Sequence, residues 1–334
     1  MMNSITVDSA NELWSKLVDE FINSPNVQLQ KSRRGDTDEI LHFWITLNNP
    51  SQRFMTTRFP SINPAFAIAE IIWIINGRND ASFINKWNSQ LCKYAGNGKS
   101  YYGAYGHRLR INFDIDQLKR AYKALKNNPL SRQIVLQIWD PQKDLPLPSG
   151  KAKNKDIPCN ITSLLKVRNN RLDWVQIMRS NDLFRGLPYN IIQFTTLQEV
   201  IAGWIGVKPG KYFHYSDSLH LYHSDRQCLS EIHTPTEIVN NDSLFLPYRE
   251  SIKLFKSLEH KVESIISNQI SEKSLLKIHN WSSAPRSFRN MLSLLSAEIA
   301  RKARFYTLAD NFMEECTNDI YKHLWKNWIK EKIK

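Results

Sequence analysis

Apolar residues recur at helical spacing in several segments of the chain. Residues 9–22 predict an amphipathic first helix, because the large apolar side chains of this segment share one face. Residues 64–75 predict a nearly all-apolar helix with Pro64 in its first turn, where a proline is tolerated. Residues 115–126 and 189–204 predict two further helices, the second of them long and largely apolar.

Runs of β-branched and apolar residues alternate with these helices and predict strands. The predicted strands are residues 40–47, 133–139, 161–167, 172–179 and 211–222. The pair Asn169-Asn170 between the third and fourth of these strands is typical of a tight hairpin turn. Strands mixed with helices in this order predict an α/β fold (mixed α+β), with a large mixed sheet flanked by helices.

The pattern changes after Asp225, where residues 245–270 and 288–332 are mainly helical by period. We therefore expect two units, a sheet-containing domain at residues 1–230 and a helical C-terminal extension at residues 231–334.

Charge and cysteine usage limit the class of protein. The net charge of +13 favours an anionic partner, such as nucleic acid, a membrane surface or a phosphorylated small molecule, although a solvated basic surface also accounts for it. The four cysteines are widely spaced without a C-x-x-C pair, which argues against a zinc site or disulfides and favours a cytoplasmic protein. No run of eighteen apolar residues is present, so no membrane span is expected.

Groups suited to nucleotide chemistry are concentrated in residues 156–225. A single cysteine, Cys159, follows a proline; Arg179 and Ser180 are adjacent; Asn190 and a His-x-Tyr pair follow. A thiolate can attack an electron-poor ring while arginines bind a phosphate. Outside this segment, Glu70 lies within the all-apolar helix, where it either faces a wet rim or is a partly buried acid with a raised pKa. The segment predicts an enzyme acting on a pyrimidine nucleotide.

A series of short motifs in residues 33–222 resembles thymidylate synthase and its relatives, the pyrimidine nucleotide hydroxymethylases. The motifs are Glu-Ile-Ile-Trp at 70–73, Tyr-Gly at 105–106, Ser-Arg at 131–132, Pro-Cys at 158–159, Arg-Ser-x-Asp at 179–182, Gly-Leu-Pro-Tyr-Asn at 186–190 and His-x-Tyr at 220–222. Each motif is weak alone, and their common order over more than half the chain makes the resemblance specific. It implies the family's fold, a catalytic domain at residues 1–230, and a homodimer that pairs sheets face to face.

The resemblance implies a role for each matching residue towards a pyrimidine nucleoside monophosphate. Cys159 would be the nucleophile, and Asn190 would read the base. The 5′-phosphate would be bound by Arg179, Ser180, Arg132 from the opposite subunit, and an arginine at 33–34, with Arg33 favoured over Arg34. His220 and Tyr222 would hold the sugar hydroxyl.

The implied second substrate is 5,10-methylenetetrahydrofolate. Glu70 and Tyr105 would organise water and proton transfers near the reacting carbon. Asp182 would lie between nucleotide and folate, and Gly186, Tyr189 and Trp87 would lie towards the folate.

The chemistry requires residues of these types. C5 of a pyrimidine is a poor nucleophile until a thiolate adds at C6, and neighbouring arginines would favour the charged form of Cys159. The amide of Asn190 can donate and accept together, so it matches O4 and N3–H of uracil. Because an amide can also flip, cytosine stays open, with uracil favoured.

Several positions depart from the methyl-transferring pattern. Asn160 stands where thymidylate synthases usually have histidine, Gln133 replaces a second arginine, and residues 216–219 lack the usual glycine pair. The short apolar tail that closes over the folate is not recognisable. Closure of the site over the folate decides whether water is excluded. Hydride from the folate then gives a methyl group, whereas water gives a hydroxymethyl group.

Three functions therefore remain open, in order of preference. The first is methylation of dUMP, which the uracil-matching amide of Asn190 favours. The second is 5-hydroxymethylation of dUMP, dCMP or CMP. The third is a nucleic-acid-binding protein on the same fold, which would use its basic C-terminal helices.

Overall fold

A computed structural model describes residues 3–32, 34–231, 233, 237–266 and 270–333. It confirms the predicted fold class, because one large mixed sheet of eight strands is flanked by helices. The strands are β1 (Ser4–Val7), β2 (Gln28–Ser32), β3 (Gly35–Leu47), β4 (Val135–Gln137), β5 (Asn160–Arg168), β6 (Arg171–Met178), β7 (Asn181–Asp182) and β8 (Lys208–Tyr222).

Strand β8 is the centre of the sheet. The main order is β1-β3-β8-β6-β5-β4, with β2 paired to β3 and the short β7 paired to β8. β8 runs antiparallel to β3 and parallel to both β6 and β7. Because β7 follows β6 closely in the chain, the end of β6 and the end of β8 meet at the same edge, with Asp182 opposite His220.

Strands β5 and β6 form the predicted hairpin. Asn169 and Asn170 have φ angles of 49° and 57°, the left-handed conformation that a two-residue hairpin turn requires. Strand β4 is shorter than predicted. Its pairing with β5 ends where Ile138 and Trp139 both donate to the carbonyl of Ile161, at 2.9 and 3.0 Å, so the regular ladder cannot continue.

The four helices predicted before residue 205 are confirmed to within three residues at each end. The helices before β8 are α1 (Ala10–Asn23), α2 (Pro64–Ile75), α3 (Ala81–Asn85), α4 (Cys92–Ala95), α5 (Tyr105–Arg110), α6 (Gln117–Asn127), α7 (Pro141–Asp144) and α8 (Leu187–Ile205). α8 is buried along almost its whole length and packs on β6, β8 and α2. α5 packs closely on α2, since a Cβ on Gly106 would lie 2.3 Å from the carbonyl oxygen of Ile74.

Helices follow β8, as predicted. They are a 3-10 helix (His223–Ser230), α9 (Tyr248–Ile265), α10 (Glu272–His279), α11 (Arg286–Lys302), α12 (Tyr306–Glu315) and α13 (Asp319–Ile333). The predicted helical segment 288–332 is divided twice, first where Arg304 adopts a φ of 66° and again at residues 316–318.

The C-terminal helices pack against the helices of the sheet domain. α9 lies against α8 and α2, and α11 lies against α2. Gly203 of α8 permits this contact, because a Cβ there would lie 2.6 Å from the backbone nitrogen of Leu246. Buried apolar residues of both parts belong to one hydrophobic cluster. The division after residue 230 stays a prediction.

Buried hydrogen bonds also join the segments that pack together here. Glu199 of α8 accepts a hydrogen bond from the guanidinium of Arg53 and further bonds of 2.9 Å from Ser243 and the backbone of Leu244. This carboxylate therefore joins the segment before α2 to the segment before α9. In the part of the chain that the structure describes, no helix is long and apolar enough to cross a membrane.

Candidate active site

The candidate nucleophile lies at the start of β5, beside an arginine at the end of β6. The backbone N–H of Arg179 donates to the carbonyl of Cys159 at 3.0 Å, which fixes the two residues side by side. The Arg179 guanidinium donates to the carbonyls of Pro158 and Ile157, each at 3.0 Å, and its Nη2 lies 3.9 Å from the Cys159 sulfur. The loop before the cysteine therefore holds a cation against the thiol.

Burial and charge act on this thiol in opposite directions. Burial raises the pKa of Cys159 above its ordinary value, and Asp156 and Asp182 raise it further, whereas Arg179 and Arg34 lower it. Their effect has the predicted sign, but desolvation of the sulfur is larger.

The predicted phosphate arginines differ in position. Arg34 is exposed in the turn between β2 and β3, where its guanidinium stacks over the Tyr94 ring at 4.3 Å, and its charge is felt at Cys159. Arg132 is exposed before β4, and no hydrogen bond or ion pair holds its side chain to any residue that the structure describes. Arg33 lies outside the described residues.

Ser180, His220 and Tyr222 meet at the edge where β7 joins β8. Ser180 Oγ and His220 Nδ1 are 3.5 Å apart, and the rings of His220 and Tyr222 are 5.4 Å apart in an edge-to-face arrangement. Burial lowers the pKa of His220, and the neighbouring Asp182 opposes this shift. The pairing of β7 with β8 thus brings Ser180 to His220 and Tyr222, which lie forty or more positions later in the chain.

Asn190, in the first turn of α8, points its amide at a second asparagine. Its Nδ2 donates to Oδ1 of Asn181 at 3.1 Å. Asn181 in turn contacts the fully buried His214, with Nδ2 and Nε2 2.9 Å apart. The sequence reasoning missed both partners, since Asn181 is the variable residue of the Arg-Ser-x-Asp motif and His214 lies in no motif.

Glu70 is a partly buried acid, which confirms one of the two alternatives for this residue. Desolvation raises its pKa to about 8, partly offset by a hydrogen bond with Gln193. The buried Oε2 atom of Glu70 and the Oε1 atom of Gln193 have no hydrogen-bond partner among the described residues. Such atoms are normally satisfied by water or a ligand.

Tyr105 and Asn160 are two further polar side chains of the cluster that includes Glu70 and Gln193. Burial raises the pKa of Tyr105, with further contributions from the nearby charges of Cys159 and Glu70, and Asn160 opposes the shift. Asn160 is fully buried: its Oδ1 accepts from Gln176 at 2.9 Å, while its Nδ2 has no partner among the described residues. Asn160 is thus a site residue that the sequence analysis treated only as a departure from the family pattern.

Residues predicted to lie towards the folate are linked through Asn63, which sequence reasoning also missed. The hydroxyl of Tyr189 accepts from the backbone of Asn63 at 2.9 Å, and the Asn63 side chain donates to the carbonyl of Trp87 at 2.9 Å. The Trp87 ring is buried, with its Nε1 unpaired among the described residues. Asn63 is the N-cap of α2, so helix capping and site geometry coincide.

Asp182 lies between the residues predicted to bind the nucleotide and those predicted to lie towards the folate. Its Oδ1 accepts from the backbone of Phe184 and Arg185 at 2.8 and 2.7 Å, and its backbone carbonyl accepts from Gly186 at 3.1 Å. Burial raises the pKa of Asp182. The turn from β7 into α8 is held by these bonds, which orients the carboxyl and places Gly186 directly before the helix.

The fold and this arrangement define a class: a large mixed sheet that carries a thiol beside an arginine, with amide and carboxyl groups on the adjoining elements. The thymidylate synthase family model matches residues 14–280. The chain therefore belongs to the thymidylate synthase family, which confirms the predicted resemblance.

Two phage proteins and an archaeal protein illustrate the similarity. The chain is 33% identical to the deoxyuridylate hydroxymethyltransferase of Bacillus phage SP01 over 235 residues, 67% of this chain and 60% of the relative. It is 35% identical to the deoxyuridylate hydroxymethyltransferase of Pseudomonas phage M6 over 175 residues, 52% of this chain and 48% of the relative. It is 29% identical to a putative thymidylate synthase of Methanothermobacter marburgensis over 222 residues, 66% of this chain and 94% of the relative. The chain spans about half to three fifths of the length of the two phage relatives.

The buried carboxyl of Glu70 predicts a pH dependence of stability. Its pKa is about 8 in the folded protein and 4.5 when unperturbed, so between these values the folded state holds a proton that the unfolded state releases. The free energy of unfolding should therefore fall as pH rises through this window. Glu70→Gln, which resembles the protonated acid, should gain at least about 1 kcal/mol relative to wild type between pH 5 and pH 8.

Urea unfolding at pH 5 and pH 8 measures this difference. Glu250→Gln, a change at an exposed carboxylate of α9, is the matched control and should keep the pH dependence of the wild type. Parallel pH profiles for wild type and Glu70→Gln would contradict the buried, protonated state of Glu70.

Proposed function

We propose that this protein transfers a one-carbon unit to C5 of dUMP through a covalent bond between Cys159 and C6, and that the product is 5-hydroxymethyl-dUMP. The observation that carries the proposal is the contact of the Arg179 guanidinium with the Cys159 sulfur, at 3.9 Å, beside the Ser180–His220 pair. A nucleotide phosphate held there by Arg179 and Ser180 would bring its base over the thiol.

The side chains of the cleft can perform each step on the nucleotide. Cys159 loses its proton, and the sulfur adds to C6 while the ring electrons move towards O4, where Asn190 can donate. C5 thereby becomes nucleophilic and forms the new C–C bond. The proton at C5 would then leave to a base and the bond between the transferred carbon and the donor nitrogen would break, leaving an exocyclic methylene at C5. Addition of water to that carbon would give the hydroxymethyl group as the sulfur–C6 bond breaks and the thiolate is regenerated. Burial of Cys159 means that the thiolate forms chiefly with substrate bound.

Methylenetetrahydrofolate is the proposed one-carbon donor, and it would supply carbon at the oxidation level of formaldehyde. The residues present fit a folate. Asp182 has a carboxyl oxygen beyond the one that the backbone occupies, and Trp87 has an unpaired indole donor. Tyr189 offers an aromatic ring fixed through Asn63. Asp182, Gly186, Tyr189 and Trp87 are accordingly proposed as the folate side of the cleft.

Hydroxymethylation is placed ahead of methylation for two reasons. Two relatives are named deoxyuridylate hydroxymethyltransferases. In addition, Glu70, Gln193 and Asn160 each present a buried polar atom without a partner among the described residues. These atoms could hold water beside the reacting carbon. Glu70 and Tyr105 are proposed to position that water and carry protons. Methylation remains the second candidate, which the similarity to a putative thymidylate synthase favours.

The choice of dUMP rests on the amide of Asn190 and on the phage relatives, both of which are named for deoxyuridylate. We further propose that His220 and Tyr222 bind the sugar hydroxyl. The same proposal places Arg34 with Arg179 at the phosphate, since the charge of Arg34 reaches Cys159. We expect the enzyme to act in the cytoplasm.

A homodimer is part of the proposal. The exposed side chain of Arg132 has no hydrogen bond or ion pair within the described part of its own chain, so it is available to reach the phosphate of a second subunit. A guanidinium supplied in this way would complete a forked phosphate site with Arg179.

The product of the reaction tests the proposed function directly. We expect dUMP incubated with methylenetetrahydrofolate to gain about 30 Da, the mass of a hydroxymethyl group, and Cys159→Ser to give no product. Mass spectrometry of the nucleotide measures this change. A gain of about 14 Da would instead establish methylation. No mass change for dUMP, dCMP, UMP or CMP would contradict a one-carbon transferase.

Mixed dimers test the shared arginine. Arg132→Ala and Cys159→Ser homodimers should each be nearly inactive. If Arg132 acts across the interface, each mixed dimer has one site with both residues intact, and equal mixing should restore about a quarter of wild-type activity. Arg179→Ala mixed with Cys159→Ser is the control. Both of these residues lie in one site on one chain, so no activity should return. Absence of recovery in the first mixture would place Arg132 outside the partner's site.

A further inference from the structure

A buried chain of hydrogen bonds leads from the centre of β8 to Asn190. Tyr212 Oη lies 2.9 Å from Nδ1 of His214, Nε2 of His214 lies 2.9 Å from Nδ2 of Asn181, and Oδ1 of Asn181 accepts from Asn190 at 3.1 Å. Tyr212 and His214 are fully buried, and Asn181 is 1% exposed. No step of the proposed mechanism uses Tyr212, His214 or Asn181.

The donors and acceptors of these hydrogen bonds follow one consistent direction. Because Asn181 donates through Nδ2 to Nε2 of His214, this nitrogen is an acceptor, and the proton of the neutral ring is on Nδ1, where it donates to Tyr212. His214 is neutral because desolvation lowers its pKa to about 3. Asn181 also donates to Ser216 Oγ at 3.3 Å, which uses its second N–H. Its Oδ1 is therefore the atom left for Asn190.

This direction determines how Asn190 is oriented. Within the described residues, the only hydrogen bond of the Asn190 side chain is the one that its Nδ2 donates to Asn181. With Nδ2 held on that side, Asn190 keeps its Oδ1 as an acceptor and one N–H as a donor. If the amide were flipped, two acceptor oxygens would face each other, and the bond would be lost.

The orientation matters because the two bases present opposite patterns at the same edge. Uracil has an acceptor at position 4 and a donor at N3, whereas cytosine has a donor at position 4 and an acceptor at N3. An amide free to flip pairs with either base, and an amide fixed in one orientation pairs with one of them and opposes the other.

We infer that the chain Tyr212–His214–Asn181 is a positioning element for base selectivity. It holds the Asn190 amide in one orientation and thereby sets whether the cleft prefers a uracil or a cytosine nucleotide. The inference rests on the proposed function in one respect, namely that Asn190 reads the base.

Asn181→Leu and Asn181→Asp separate positioning from packing. Leucine fills a similar volume and leaves Asn190 without an orienting acceptor. Aspartate retains an oxygen that accepts from Asn190, and His214 can donate to its other oxygen as the Nε2–H tautomer or as a cation. Thr195→Val is the control, since Thr195 is equally buried on α8 but, among the described residues, bonds only to carbonyls of its own helix.

Calorimetric titration with dUMP and with dCMP gives the ratio of the two dissociation constants for each protein. The ratio should move towards one by at least about tenfold in Asn181→Leu and stay near the wild-type value in Asn181→Asp and Thr195→Val. Circular dichroism checks that each variant folds, and the aspartate variant keeps the test available if the leucine variant does not.

The outcomes distinguish the two proposals. An unchanged ratio in Asn181→Leu, or an equal loss of selectivity in Asn181→Asp, would overturn the positioning role while leaving the one-carbon transferase intact. If the wild type binds neither nucleotide, the proposed function fails as well. A wild type that prefers dCMP would correct the substrate, and the collapse of its preference in Asn181→Leu would still support the positioning role.

Discussion

The site depends on one contact, that between the Arg179 guanidinium and the Cys159 sulfur. Three hydrogen bonds, from the Arg179 backbone and guanidinium to the carbonyls of residues 157–159, hold the arginine beside the cysteine. The pairing of β5 with β6 places the two residues across from each other, after a one-residue shift of the register between Asn160 and Thr162. Arg179 alone does not lower the pKa of Cys159 below its ordinary value, because burial raises this pKa by more than the arginine lowers it. We therefore propose that substrate binding contributes to the activation of Cys159.

Most of the other site residues are carried by two long elements. β8 supplies His220 at its end and the buried His214 near its middle, while α8 carries Asn190 and Gln193 on its first two turns. α8 is buried along almost its whole length, and alternate residues of β8 are buried, so neither backbone can shift without disturbing the core. The C-terminal helices pack against α8 and α2, the two helices that bear Asn190 and Glu70. This packing couples the extension to the geometry of the site without contributing a nucleophile.

The sequence predicted most of the fold and the residues with distinctive chemistry, for identifiable reasons. The α2 helix and the β5–β6 hairpin have strong local signals, an apolar run with Pro64 and an Asn-Asn turn. The partners Asn181 and Asn63 were missed because their roles arise from strand pairing and helix capping, which act across distance in the chain. The effect of the arginines on the pKa of Cys159 was predicted with the right sign, but the net rise of that pKa was not predicted, since residue types reveal nearby charges but not the extent of burial.

The central claim is a covalent bond between the sulfur of Cys159 and C6 of a uracil nucleotide. The most direct measurement is intact-protein mass spectrometry after incubation with 5-fluoro-dUMP and methylenetetrahydrofolate. Fluorine at C5 cannot leave as a proton does, so the adduct cannot break down by the normal route. The account predicts a stable mass increase that maps to the peptide containing Cys159 and is absent from Cys159→Ser. An unmodified wild-type protein, or an adduct on another residue, would contradict it.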